Sequence, residues 1–167
     1  RGTVRTSNGT PAFGQGVSLS TVSSQPASFV ASRLSPLTVA TVDTDAVTTP
    51  EGGFSFDVAP GQYDLTVRPP SGSALPWAVL SQLTVDKSTP ALDLTLSDPV
   101  LMFGRILSGD NGSAIPGAVI RVWTQRSNPE SEEGPSVFQI GEATANGDGE
   151  YQLVLPSSLN DALAGPP

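Results

Sequence analysis

The chain has 167 residues, a formal net charge of −8, only 8 Lys plus Arg, and neither Cys nor His. Disulfides, thiolate or imidazole metal sites, and Cys- or His-based nucleophilic machinery are therefore excluded. Nucleic acid and anionic membrane surfaces are disfavoured, because both demand clustered cations and the basic residues here are scattered. With 37% hydrophobic residues, 17 Gly and 16 Pro, the composition suits short apolar strands separated by turns rather than disorder. No apolar run is long enough to insert into a membrane as a helix.

Residues 2–6 predict a first strand that ends in the Ser7-Asn8-Gly9-Thr10-Pro11 turn. Val17, Leu19 and Thr21 alternate along a second strand over 16–22, and the Ser/Pro-rich stretch from Ser23 to Pro36 reads as a long loop. Leu37, Val39 and Thr41 give a third strand, and Val47 opens a short fourth before the Pro50-Glu51-Gly52-Gly53 turn. Phe54, Phe56 and Val58 alternate, and so do Tyr63, Leu65 and Val67 after Ala59-Pro60-Gly61, so these two runs are expected to pair as a β-hairpin. Leu83 and Val85, then Leu92, Leu94 and Leu96, close a first unit, with its boundary at Ser97-Asp98-Pro99.

A second unit opens with a strand over 100–107, turns at Gly109-Asp110-Asn111-Gly112 and continues over 118–124. Residues 126–135 read as a solvated loop, 137–143 and 151–155 as strands, and 157–165 as a short helix with an N-cap Ser and a terminating Gly. The two units echo one another. Thr49-Pro50-Glu51-Gly52-Gly53-Phe54 returns as Ala145-Asn146-Gly147-Asp148-Gly149-Glu150-Tyr151, and Gly2-Thr3-Val4 with Asn8-Gly9 returns as Gly104-Arg105-Ile106 with Asn111-Gly112. The expectation is an all-β protein of two consecutive antiparallel β-sandwiches, one over 1–98 and one over 99–167. Nothing in the second unit matches the strand over Gln62–Arg68 or the one over Leu92–Leu96, so by its internal template the second sandwich lacks its last strands. The chain starts at Arg1 without Met and reads as a trimmed piece, with truncation preferred over strands supplied by a neighbouring chain.

In order, these features resemble the carboxypeptidase regulatory-like family. The carriers are Gly2, Asn8-Gly9, Gly16-Val17, Thr49 to Phe56 and Pro60-Gly61-Gln62-Tyr63 in the first unit. In the second they are Gly104, Asn111-Gly112, Pro116-Gly117-Ala118-Val119 and Thr144 to Tyr151. The resemblance implies a prealbumin-like (transthyretin-like) sandwich and an accessory role in a larger exported protein, without catalysis. The pattern departs at Gln15-Gly16, where Gly-Ala is usual, and in the second unit, which lacks Pro-Gly-x-Tyr.

Candidate sites are few. Asp43 and Asp45 share a strand face and read as a solvated edge rather than a catalytic carboxylate pair. Asn146, Asp148 and Glu150 alternate with Gly as in calcium loops, yet Asn-Gly and Asp-Gly are what tight turns require. Lys87 comes too late in its unit for a pilin-type isopeptide bond. Asn8-Gly9-Thr10 and Asn111-Gly112-Ser113 fit the glycan acceptor pattern at turns that select Asn-Gly in any case. Trp77, in the Pro-rich segment before a strand, is the candidate contact for a ligand or partner, and is otherwise a lid over an open sandwich end. Trp123 is expected in the core or between the units. No cofactor is implied. The leading reading is a non-enzymatic spacer or interaction module at the cell surface, envelope or outside the cell, with a protein or its own parent chain as partner. A calcium- or carbohydrate-binding accessory module is the second reading, and a subunit completed by a neighbour's strands the third.

Overall fold

The structure, a computed structural model, describes residues 1–21, 42–126 and 136–158. Within them the protein is all-β. The strands are β1 (Gly2–Arg5), β2 (Gly16–Thr21), β3 (Val42–Val47), β4 (Gly53–Phe54), β5 (Gly61–Arg68), β6 (Ala78–Val85) and β7 (Leu92–Thr95), followed by β8 (Pro99–Arg105), β9 (Val119–Arg126), β10 (Ser136–Thr144) and β11 (Glu150–Pro156). The strand expected over 37–41 and most of the helix expected over 157–165 lie outside the described residues.

In the N-terminal half a four-stranded sheet, in the order β3-β2-β5-β6, faces a three-stranded sheet, β4-β1-β7. Alternation decides which side chains turn inward: Val17 and Leu19 from β2 and Tyr63, Leu65 and Val67 from β5 meet Val4, Phe54 and Leu96 in one buried cluster. Each fully buried Leu or Val removes enough apolar surface from water to contribute about 1.5–3 kcal/mol. All pairings are antiparallel except β1 with β7, which run parallel.

The expected hairpin of 54–58 with 63–67 does not form. β4 pairs with β1, Gly2 opposite Phe54, whereas β5 pairs with β2 and β6 in the other sheet. Residues between Phe54 and Gly61 cross from one sheet to the other, with Phe56 and Val58 partly buried on the core. Alternation identifies a buried face but not the sheet that owns it. Val47 likewise ends β3 instead of opening a new strand, and β6 begins at Ala78, well before Leu83.

The echo seen in the sequence extends to the hydrogen bonds. Val4 N–H donates to the Gly52 carbonyl at 2.8 Å, and Ile106 N–H to the Gly149 carbonyl at 2.8 Å; Thr48 N–H donates to Gln15 at 2.9 Å, and Ala145 N–H to Ala118 at 2.8 Å. Val17 opposite Ala46 and Ser18 opposite Asp45 recur as Ile120 opposite Ala143 and Arg121 opposite Glu142. Even the β-bulge returns: the register shifts after Leu19 in β2, and at the matching point between Gln139 and Gly141 in β10.

Two glycine requirements recur with it. A Cβ on Gly2 would stand 2.7 Å from the Phe54 ring, and one on Gly104 2.5 Å from the Tyr151 hydroxyl. Gly52 (φ +78°) and Gly149 (φ +75°) hold left-handed turns against the carbonyls of Val4 and Ile106. Gly72 has φ +80° as well but open space around it. Gly52→Ala is therefore expected to cost about 3 kcal/mol or more, and Gly72→Ala about 1 kcal/mol from its backbone angle alone. Urea denaturation of the two variants measures the difference.

Candidate functional site

The chain passes between the halves through Leu96, Ser97 and Asp98, between the end of β7 and the start of β8. Leu96 is fully buried in the core of the N-terminal half. Asp98 reaches both ways: its Oδ1 accepts the Ser7 hydroxyl at 2.5 Å, and its main-chain carbonyl accepts the Ser157 N–H at 3.0 Å. Pro99 then restricts the backbone at the first residue of β8.

Between the halves lies a cleft of about 560 Å³ whose lining includes Arg68 and Trp77 from the N-terminal half and Phe103, Glu142, Tyr151 and Val154 from the C-terminal half. Arg68 closes β5 and Trp77 immediately precedes β6; the Pro-rich turn between them returns the chain, so the two side chains meet. The Arg68 guanidinium lies over the indole ring, 5.2 Å from its centroid. It also reaches Glu142 Oε1 at 3.6 Å. The other oxygen of Glu142 accepts Arg121 Nε at 2.7 Å and Gln139 Nε2 at 3.2 Å. Partial burial opposes ionisation of Glu142, but the hydrogen bonds from Arg121 and Gln139, with the charges of Arg121 and Arg68, outweigh it and hold the carboxyl below its ordinary value.

Trp77 thus lines the cleft between the halves. Its neighbours turn inward instead: Leu75 packs on the core of the N-terminal half and Pro76 is buried. The ring face beneath Arg68 is already stacked. Trp123, expected in the core or between the units, keeps 37% of its surface exposed. Its counterpart in the first half is Ser20, opposite Val42 as Trp123 is opposite Gln139, a position on the outer side of the sheet.

The remaining candidates resolve into local structure. Asn146 Oδ1 accepts the N–H groups of Asp148 and Glu150, both at 2.9 Å, so it braces its own turn. Asn8 and Asn111 do the same for Thr10 at 3.1 Å and Ser113 at 3.0 Å. Asp43 and Asp45 lie on β3, with Asp45 exposed, and Lys87 sits in the exposed turn after β6. Among the described residues no group of three or more Asp or Glu gathers as a metal site. Sequence reasoning passed over Arg68 and Glu142. A readable signal existed: the aligned positions of the repeat carry opposite charges, Arg121 and Glu142, where the first half has Ser18 and Asp45.

No family model, curated protein or solved structure matches this chain.

One carboxyl outside the cleft is unusual. Burial pushes Asp64 above its ordinary value, although its Oδ1 accepts the Gln82 N–H at 2.9 Å, which favours the charged form. Gln82 has φ +58°, and the β5–β6 register shifts between Tyr63 and Leu65, so Asp64 braces a strained bulge. A folded value above the unfolded one means that the fold prefers the protonated acid. Its stability contribution is full below 3.8 and declines as pH rises through the raised value. Asp64→Asn, neutral throughout, is expected to remove that decline while keeping the acceptor, as read from urea midpoints across this range.

For the cleft, Arg68→Ala in a Trp123→Phe background is expected to increase acrylamide quenching of Trp77. Because the Arg68 side chain is 58% exposed, its ion pair is screened, and the stability loss should stay below about 1 kcal/mol.

Proposed function

We propose that the chain is a non-enzymatic structural module, a stiff spacer or interaction element of an exported or cell-surface protein, built from two prealbumin-like units of the carboxypeptidase regulatory-like type. The observation that carries this reading is the junction. Asp98 is hydrogen-bonded to Ser7 on one side and Ser157 on the other, and Arg68 bridges to Glu142 alongside. A connection this short and this pinned passes orientation from one unit to the next, which is what a spacer does and a flexible tether does not. The acidic balance favours solubility and repulsion between copies. The order of turn and strand motifs, twice over, supports the family, and the family implies an accessory role.

Backbone ¹⁵N relaxation provides the test. The spacer reading expects one rotational correlation time for residues 1–98 and 99–158, unchanged when calcium is added. Two independent correlation times would sink the spacer reading, and a calcium-dependent change would favour the accessory binding module.

A further inference from the structure

The turn that leads into β11 repeats the turn that leads into β4. Thr49 N–H donates to the Gly53 carbonyl at 2.9 Å, and Asn146 N–H to the Glu150 carbonyl at 2.8 Å. The Gly52 and Gly149 N–H groups donate to the carbonyls of Thr49 and Asn146 at 2.8 and 3.0 Å. A side chain closes each turn: Thr49 Oγ1 accepts the Gly53 N–H at 3.2 Å, and Asn146 Oδ1 the Glu150 N–H at 2.9 Å. The chemistry differs at one step. The first turn runs Thr49-Pro50, with no side-chain amide and no N–H after it, whereas the second runs Asn146-Gly147. A nitrogen that belongs to Gly meets the least obstruction on its way to the preceding amide carbon, because Gly carries no Cβ.

Two other Asn-Gly pairs, Asn8-Gly9 and Asn111-Gly112, are exposed as well. In all three the Asn Oδ1 accepts two hydrogen bonds: from Thr6 and Thr10 at Asn8, from the N–H and hydroxyl of Ser113 at Asn111, and from Asp148 and Glu150 at Asn146. Those donors sit on the oxygen where negative charge would develop on attack, so the three carbonyls are polarised alike. The nitrogens are not alike. Gly9 N–H is held by the Thr6 carbonyl at 2.8 Å and Gly112 N–H by the Ser108 carbonyl at 2.9 Å. Gly147, exposed at the second position of its turn, has an N–H that meets no acceptor among the described residues.

We infer that Asn146 is a site of spontaneous covalent modification, cyclising through Gly147 ahead of the other two pairs and then opening to aspartate or isoaspartate. The Gly147 nitrogen attacks Asn146 Cγ, and the new N–Cγ bond replaces the Cγ–Nδ2 bond. The proton lost from the Gly147 nitrogen passes through solvent to Nδ2, which leaves as ammonia. Water then opens the succinimide ring at either carbonyl, so one water is consumed for each ammonia released. Opening at Cγ gives aspartate, whose oxygen can still accept the Asp148 and Glu150 N–H groups. Opening at the main-chain carbonyl routes the chain through Cγ, and the carbonyl that accepted the Gly149 N–H becomes a free carboxylate. Either product adds a negative charge beside Asp148 and Glu150. The isoaspartyl form also unsettles the turn that sets Gly149 against Ile106 and Tyr151 on Gly104. The matching turn of the first half, with Pro50, is exempt.

Incubation of the full chain at mildly alkaline pH in ¹⁸O-labelled water, followed by peptide mass spectrometry, reads each site separately. Asn146 is expected to take up label about fivefold faster than Asn8 or Asn111, the factor set by one main-chain hydrogen bond on the glycine nitrogen. In urea, where those bonds are lost, the three rates are expected to converge. Gly147→Pro supplies the second arm. It removes the attacking N–H without breaking a hydrogen bond, φ at Gly147 is not positive, and a Cβ there meets nothing within 4 Å. This variant is expected to fold, as the Pro50 turn does, and to take up no label at Asn146 over the same interval. Labelling of Asn8 or Asn111 as fast as Asn146 in the folded chain overturns the proposal. So does a lead for Asn146 that persists in urea, or label at Asn146 in the Gly147→Pro variant.

Discussion

The architecture depends on one close approach, made twice. A glycine in the first strand of each half has no Cβ, so an aromatic ring from the strand beside it, Phe54 on Gly2 and Tyr151 on Gly104, occupies that space. The ring can lie there only because the preceding turn passes through a left-handed glycine tight against the carbonyl of Val4 or Ile106. This arrangement assigns β4 to the sheet of β1. It obliges the chain to cross to the opposite sheet before β5, and so sets which faces meet in the core. Without it the alternating Phe and Tyr runs would be free to pair locally.

The junction extends that order beyond a single unit. Leu96 anchors the exit in the first core, Asp98 hydrogen-bonds to both halves, and Pro99 limits the backbone where β8 begins. Arg68, Trp77 and Glu142 form the lateral support. Each of these contacts is modest alone, because exposed ion pairs and cation–π contacts are screened by water. In the proposed spacer reading their effect is geometric, fixing direction more than adding stability.

Much of the fold was legible in the sequence, for a definite reason. Period-two alternation at Val17 and Leu19, at Leu65 and Val67, and at Leu92, Leu94 and Leu96 reports a half-buried strand wherever it occurs, and Asn-Gly or Gly-Gly reports a turn that needs positive φ. The repeat was legible because equivalent turns demand equivalent residues. The cleft was legible only in part. Trp77 stood out as an aromatic residue in a Pro-rich segment, but Arg68 and Glu142 are ordinary strand residues until the fold brings them within 3.6 Å.

What the sequence determined by itself was local: where strands and turns lie, which side of each strand is apolar, and that a pattern recurs. These follow from steric and hydrophobic preferences acting over a few residues. What only the tertiary structure decided was partnership. It placed β4 on β1 rather than on β5, ran β7 parallel to β1, gave β8 one neighbour among the described strands, and turned Trp77 toward the second half. Those choices rest on contacts between residues far apart in the chain, and an alternating pattern says which face is buried without saying which strand lies beside it.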